Sequence, residues 1–487
     1  MKTYIGKRGY VIIKKFFDQK FLDDIRNKLM VKPFVNSDYG EVPEPFPVFL
    51  ENKNKLYVPK FWGIKNIGKP DEYNLPLGTP ITLSFNGSLR DNQKEPIDAV
   101  INAFNTSGGG LLSLPCGQGK TACACYLISK INVKAFVLVH KEFLLNQWIE
   151  RIHFFLPNAR VGRIQGTIID IEDKDIVIGM IQSISMKNYE MNTFDSFGMT
   201  ILDEAHRVPS REFSKALAKI NSKYMLGLSA TPDRKDGLTK VLKWFIGDVV
   251  YSRKGKSVLN SQVERYILEV KDNNYNKEEV IFNGKINSAK MINNIATYEP
   301  RINFMVSQIH KKSEENRQIL LLSDRRELLA QIEERVSVTV GYYVGGMKQE
   351  ELKNSEEKQL ILATFQMAAE GLDIKTIDTI ILATPKTEIE QAVGRIRPRV
   401  DEGFDRNPLI IDIVDNFSIF KRQSDKRMQF YKKKKYQIDT YTFDKNGNIN
   451  KKDSWNPDEN IPENIPEINV KKNYLPKKLN KFCFTID

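Results

Sequence analysis

The chain has 487 residues, 41% hydrophobic and 28% charged, which suits two or three domains with full-sized cores. No apolar run approaches the roughly 20 residues that span a bilayer, and the opening MKTYIGKRGYVIIKKFF has no apolar stretch followed by small residues, so neither a membrane span nor a secretory leader is expected. The 74 Lys+Arg against 61 Asp+Glu leave a charge of +13, which favours a polyanionic partner, although a solvated lysine-rich surface would give the same count.

Residues 1–82 read as a small α+β domain. Within them FPVFLENKNKLYVPKFWGI has the pattern of a β-hairpin turning at ENKNK, with aromatics on one side. Phe61 and Trp62 would either touch duplex nucleic acid or pack on the next domain. From residue 83 to 252, short β-branched runs alternate with helical patterns: AFVLVH, DIVIGM, MTILDEAH and YMLGLSAT. Residues 253–286 are polar and read as a linker containing one strand. A second block, 287–440, repeats the alternation with QILLLSD, QLILATF, IDTIILATP and PLIIDIVD. Runs that are apolar on both faces predict buried parallel strands joined by crossover helices, with ligands at the edge where the strands end. Residues 441–487 read as an extended, basic tail, because the repeated Ile-Pro-Glu cannot be helical. Lys432–Lys435 could grip phosphates or form a solvated helix face. The four cysteines (Cys116, Cys123, Cys125, Cys483) and four histidines have no metal-ligand spacing, and Trp148 is expected in a core.

The chemistry gathers in two stretches. LLSLPCGQGKT orders strand, turn and helix as a phosphate loop requires, with Leu114 where the full G-x-x-x-x-G-K-[ST] pattern has its first glycine. Gly117 and Gly119 would let the backbone approach an anion. Lys120 would reach the β- and γ-phosphates, and the Thr121 hydroxyl would ligate Mg²⁺. ILDEAH ends a strand in Asp203, suited to hold Mg²⁺ through water, and Glu204, suited to deprotonate the attacking water.

With these two stretches in this order the chain resembles a superfamily-two helicase of the DEAD/DEAH type. Its first motif reads A-x-x-G-x-G-K-T, so Leu114 is no defect. The similarity runs over about residues 83–416. It implies an ATP site formed by Pro115, Cys116, Gly117, Gln118, Gly119, Lys120 and Thr121, with Arg90 and Gln93 of LRDNQKEPI on the adenine side. His140 and Lys141 of VLVHKEF, Gln182 and Ser183 of IGMIQSIS, Arg325 of LLLSDRR and Thr364 of ATFQM would hold the nucleic-acid backbone. His206 and Ser229-Ala230-Thr231 would couple the nucleotide to the second lobe, and Gly371 and Asp373 would couple nucleotide state to lobe closure. Gln391 and Arg395 of QAVGRIRPR match the last motif, while Pro398 stands at its final arginine, with Arg397 and Arg399 on either side.

Within the superfamily, SATPDRKDGLTKVLKWFIGDVVY, YYVGGMK and LYVPKFWGI are similar to the XPB-type branch and its large-DNA-virus and phage relatives, including poxvirus-like transcript-release helicases. Arg234-Lys235-Asp236 departs from that branch's Arg-Glu-Asp. The resemblance implies two tandem RecA-like parallel-sheet lobes, with ATP and Mg²⁺ as cofactors, and an ATP-dependent helicase or translocase. DNA is the expected track, with RNA or an RNA–DNA hybrid as the alternative, in transcription beside an RNA polymerase. Branch migration in recombination, or polymerase-bound remodelling without unwinding, would use the same motor. A monomer inside the cell is expected, in the virus factory or virion if the chain is viral.

Overall fold

The computed structural model describes residues 1–457 apart from 34–43, 116, 191, 205–209, 231–236, 254–260, 283, 285, 371, 373, 375, 395, 397–398 and 402–403. Three sheets organise it. The N-terminal sheet is built from β1 (Thr3–Gly6), β2 (Gly9–Ile13), β3 (Leu50–Glu51), β4 (Lys55–Val58) and β5 (Glu72–Tyr73), in the order β3-β4-β2-β1-β5. Helices α1 (Gln19–Lys28) and α2 (Lys60–Asn66) complete this part.

The hairpin expected at ENKNK is present between β3 and β4, with Leu50 opposite Tyr57 and Glu51 opposite Leu56. Its turn is closed by Asn52, whose Oδ1 accepts the Asn54 and Lys55 amides at 3.0 and 2.8 Å. The second arm is shorter than expected. Pro59 opens helix α2, and KFWGIKN coils instead of continuing the strand. The helix wins because it seats Trp62, 4% exposed, in a core with Ile5, Tyr10, Leu56 and Val58. Trp62 is therefore a packing residue, and Phe61 lies half-buried against the second core of the first lobe. Trp62 is thus not available for duplex contact.

Lys60, in the same helix, is buried at this junction. Its Nζ donates to the Lys223 carbonyl at 3.0 Å and approaches that of Ser222 at 3.5 Å. Burial pulls the ammonium down from 10.5 to about 7. The unfolded chain keeps this proton up to about 10.5, so between 7 and 10.5 the unfolded state binds more protons and stability rises with pH. Below 7 that gain is absent. The melting temperature of the native chain is expected to rise relative to Lys60→Met as pH goes from 7 to 9.5, and a constant difference would rule this out.

The first lobe's sheet runs β9-β8-β10-β7-β11-β12-β6-β13. Its members are β6 (Gly109–Ser113), β7 (Ala135–Val139), β8 (Val161–Gln165), β9 (Ile168–Ile169), β10 (Ile176–Met180), β11 (Met199–Leu202), β12 (Tyr224–Ser229) and β13 (Val249–Ser252). Helices α3 (Asp91–Thr106), α4 (Lys120–Ile131), α5 (Glu142–Phe155), α6 (Ile181–Met186) and α7 (Thr239–Ile246) flank it. The strands are buried on both faces because each side has its own core. Val137 and Ile178 belong to one cluster, their neighbours Phe136, Leu138 and Val177 to the other.

The second lobe repeats the plan with β14 (Gln262–Leu268), β15 (Ile319–Ser323), β16 (Val340–Tyr343), β17 (Leu360–Thr364), β18 (Thr379–Leu382), β19 (Leu409–Val414), β20 (Gln437–Phe443) and β21 (Ile449–Trp455). The sheet order is β16-β17-β15-β18-β19-β14-β20-β21. Helices α8 (Ser288–Ala296), α9 (Glu299–Glu314), α10 (Phe365–Glu370), α11 (Glu390–Val393) and α12 (Ser418–Lys433) accompany it.

Two boundaries differ from the sequence expectation. The strand inside the 253–286 segment, β14, is an interior strand of this sheet, parallel to both β19 and β20. It read as linker because Glu264 and Arg265 interrupt its apolar pattern. Arg265 donates to Ser424 at 2.6 Å and stands 3.8 Å from Asp412, and Glu264 accepts from Lys312 at 3.2 Å, partners distant in sequence. The sheet also continues past residue 440, where β20 and β21 form an antiparallel hairpin turned at Asp444–Gly447. The Ile-Pro-Glu segment lies outside the described residues. Of the lysine run, Lys434 pairs with Glu390 at 2.7 Å and Lys432 sits 5.7 Å from the Trp455 ring, while Lys433 and Lys435 are exposed. No helix among the described residues is long and apolar enough to cross a membrane.

Candidate active site

The C-terminal edge of the first lobe's sheet brings the two chemistry-bearing stretches together. Strands β11, β12 and β6 are neighbours, so the loops that follow them share one edge. After β6 the chain turns through residues 114–119 into α4. Gly119 takes the left-handed conformation (φ 79°) at the start of α4, and Gly117 does likewise (φ 74°). A side chain at Gly119 would meet Gln93 Nε2 at 2.2 Å and would have to displace that amide, besides straining the left-handed backbone.

That contact belongs to a brace. Gln93 is buried; its Oε1 accepts the Arg90 amide at 3.0 Å and its Nε2 donates to the Gln118 carbonyl at 3.4 Å. Asn92 donates to Gln118 Oε1 at 3.0 Å. The structure thus places Gln93 beneath the loop, with both ends of its amide engaged by the protein, and leaves Arg90 exposed. Asn92 is a contributor that sequence reasoning missed. Pro115 and Thr121 are half-buried at the two ends of the turn.

Lys120 Nζ stands 3.4 Å from both Glu204 Oε1 and the Leu114 carbonyl. Asp203 follows β11 directly and is buried. Its Oδ1 accepts the Glu204 amide at 2.9 Å, and its Oδ2 accepts the Trp148 indole N–H at 2.8 Å. Burial, and then the neighbouring Glu204 charge, push its carboxyl up to about 6. Glu204 has φ 47°, a left-handed conformation that costs a non-glycine residue about 1–3 kcal/mol and is found at sites where geometry matters more than strain. Asp203 and Glu204 set two carboxylates on consecutive residues beside Lys120 in a buried setting. Asp203 with Thr121 on the first turn of α4 therefore fits a hard divalent cation such as Mg²⁺, and the tight glycine turn beside Lys120 fits a polyphosphate.

Trp148 was expected to be core and is, at 1% exposure, but its indole also fixes Asp203. Only its apolar helical spacing was legible locally. The segments after β7 and β10 also meet, the Gln182 amide donating to the His140 carbonyl at 2.9 Å, and Ser183 Oγ accepts the amide of Gly166, just after β8, at 3.0 Å. His140 is buried, and Lys141 precedes α5 as its cap. Ser229 is buried at the end of β12, and its carbonyl accepts the Leu114 amide at 3.0 Å; Ala230 follows, half-buried.

In the second lobe, Arg325 donates to the Ala289 carbonyl at 2.9 Å and to the Asn293 side chain, so its guanidinium ties α8 to the end of β15. Thr364 Oγ1 accepts the Met367 amide at 3.4 Å at the start of α10. Gln391 is half-buried on α11, and Arg399 lies in the short strand Arg399–Asp401. Cys116, His206, Thr231, Gly371, Asp373, Arg395 and Arg397 lie outside the described residues.

Residues 86–234 match the family described as the res subunit of type III restriction enzymes, and residues 300–397 match the helicase conserved C-terminal domain. A protein of Acanthamoeba polyphaga mimivirus, named as an ATP-dependent RNA helicase, is 36% identical over 100% of this chain and 98% of its own length. A protein of African swine fever virus with the same kind of name is 28% identical over 72% of this chain and 74% of its own. A helicase of Escherichia phage T5 is 24% identical over 68% and 73%. The solved structure of T4 UvsW aligns with 91% of this chain and 100% of its own at 15% identity, with a TM-score of 0.36. The chain belongs to the superfamily-two helicases, ATP-hydrolysing enzymes, and is related to those of large DNA viruses.

Proposed function

We propose that this helicase draws its work from ATP held at the edge of β6 and β11 and spends it on moving along DNA during viral transcription. The observation that carries the reading of the site is the continuous chain Lys120–Glu204–Asp203–Trp148 at the strand ends. Lys120 and the amides around Gly117 and Gly119 bind the phosphates. As Lys120 turns to the γ-phosphate it moves off Glu204, whose carboxylate would orient a water in line with the phosphorus and accept its proton. Thr121 and Asp203 would hold Mg²⁺, which when bound neutralises charge on the phosphate oxygens. Gln391 and Arg395, with Arg397 or Arg399, would approach from the second lobe to stabilise the transferring group. His206, Ser229, Ala230 and Thr231 would pass the nucleotide's state across, with Gly371 and Asp373 answering from the other side.

Nucleic acid would lie over His140, Lys141, Gln182, Ser183, Arg325 and Thr364, held by its backbone. Recognition of that kind is weakly sequence-specific and falls steeply with salt. The net charge of +13 supports a polyanion without choosing between DNA and RNA. RNA is the second reading, favoured by the names of the mimivirus and swine-fever relatives. Steady-state ATPase should be measured alone and with single-stranded DNA, duplex DNA, a four-way junction and single-stranded RNA, each at 50 and 200 mM salt. Stimulation by single-stranded or duplex DNA that fades at the higher salt is expected. Stimulation by RNA alone would replace the DNA track, and a preference for the junction would favour branch migration. Absence of any stimulation would favour a remodeller awaiting a polymerase.

A further inference from the structure

We propose that Trp148 is a positioning residue for the metal-binding carboxylate, tethering Asp203 to helix α5. The inference rests on the reading of Asp203 given above. Three observations on one helix carry it. First, the indole N–H, a donor with no acceptor role, points at Asp203 Oδ2 at 2.8 Å, and both groups are buried. With Oδ1 held by the Glu204 amide at 2.9 Å, each carboxylate oxygen has one fixed donor, and the plane of the group is set. Second, α5 begins at the His140–Lys141 segment, so its first turn borders the strand end proposed to face nucleic acid. Third, α5 meets the second lobe: Phe143 packs against the cores of both lobes, and Glu150 Oε1 stands 3.8 Å from Lys353 Nζ. A displacement of α5 at either contact moves the indole, and the indole carries the carboxylate.

A nonpolar packing role for Trp148 would predict that Trp148→Phe costs stability alone. A positioning role predicts a selective loss of Mg²⁺ dependence, because removing the partner that orients a metal ligand typically weakens metal affinity about 10–100-fold. The experiment titrates Mg²⁺ against binding of N-methylanthraniloyl-ADP, read by fluorescence, in the native chain, Trp148→Phe, Asp203→Ala and Ile152→Val. Ile152 is a buried neighbour on the same helix without a polar contact to the site. Trp148→Phe is expected to bind the nucleotide without Mg²⁺ as the native chain does, and to need about tenfold more Mg²⁺ to reach half of the Mg²⁺-dependent gain. Ile152→Val should leave the Mg²⁺ midpoint in place. An unshifted midpoint in Trp148→Phe, with Asp203→Ala shifted, overturns the inference while leaving the site reading intact. An unshifted midpoint in Asp203→Ala overturns the site reading itself.

Should Trp148→Phe fail to fold, the native chain labelled with 5-fluorotryptophan gives the same decision. Its ¹⁹F signals for Trp62, Trp244 and Trp455 can be assigned by single replacement, leaving Trp148 by difference. Addition of Mg²⁺ to the ADP-bound chain should shift the Trp148 signal, and a signal that does not move refutes the tether.

Discussion

Glu204→Gln is expected to bind ATP and to hydrolyse it about 10²–10⁴ times more slowly than the native chain, the usual loss when a general base is removed. The substitution keeps the volume and the left-handed backbone at φ 47° but removes the carboxylate that faces Lys120 at 3.4 Å. Two consequences separate it from simple damage. Lys120 loses the carboxylate it faces, so nucleotide no longer competes with Glu204 for the lysine, and ATP affinity should stay the same or rise. The neighbouring Asp203 keeps its bonds from Trp148 and from the backbone amide of residue 204. Lys120→Ala should instead lose nucleotide affinity together with turnover. Stopped-flow binding of a fluorescent ATP analogue alongside phosphate release distinguishes them. If Glu204→Gln retained native turnover, Glu204 would not be the base.

Arg301→Met should cost the second lobe about 3–5 kcal/mol, the range observed when one partner of a buried ion pair is removed. Arg301 and Asp415 are 0% and 1% exposed, with Nε–Oδ1 at 2.8 Å and Nη2–Oδ2 at 3.0 Å. Nη2 also donates to the Ala383 carbonyl at 2.7 Å, and the Tyr275 hydroxyl donates to Asp415 Oδ1 at 2.5 Å. Burial and the Asp415 charge hold the Tyr275 phenol well above its usual range, so it remains a donor. This group joins α9, the end of β18, the end of β19 and the segment before α8. Without Arg301 the Asp415 carboxylate is left buried with the Tyr275 phenol as its donor and the Arg427 charge as its remaining cation among the described residues. Urea unfolding followed by far-UV circular dichroism should show the loss, and Asp415→Asn in the Arg301→Met background should recover part of it. A midpoint within error of the native chain would show that the pair is not a net contributor.

The same physics explains what was legible. Parallel strands covered on both sides must be apolar at consecutive positions, so AFVLV, MTIL, ILLLS and LILAT announce themselves without any tertiary knowledge. The phosphate loop was legible because its geometry demands glycine at two left-handed positions and a lysine at the helix start. Asp203 and Glu204 were legible because a strand buried on both faces ends in two acids. By contrast β14 was hidden by Glu264 and Arg265, polar residues accommodated in the sheet by Lys312 and Tyr266 for the first and by Ser424 and Asp412 for the second. The helix in KFWGIKN was hidden because Trp62 and Phe61 face two different cores, which no single amphipathic period describes.

The sequence by itself determined the alternation of strands and helices, the order of the motifs and the kinds of side chain available for phosphoryl transfer, since these depend on local periodicity and on residue chemistry. Only the tertiary structure decided that Gln93 braces the loop from below, that Trp148 holds Asp203, that α5 touches both lobes and that Arg301 meets Asp415. Each of these is a contact between residues far apart in the chain, and the energy that selects it comes from desolvation and hydrogen-bond satisfaction in a packed interior, to which a local pattern is blind.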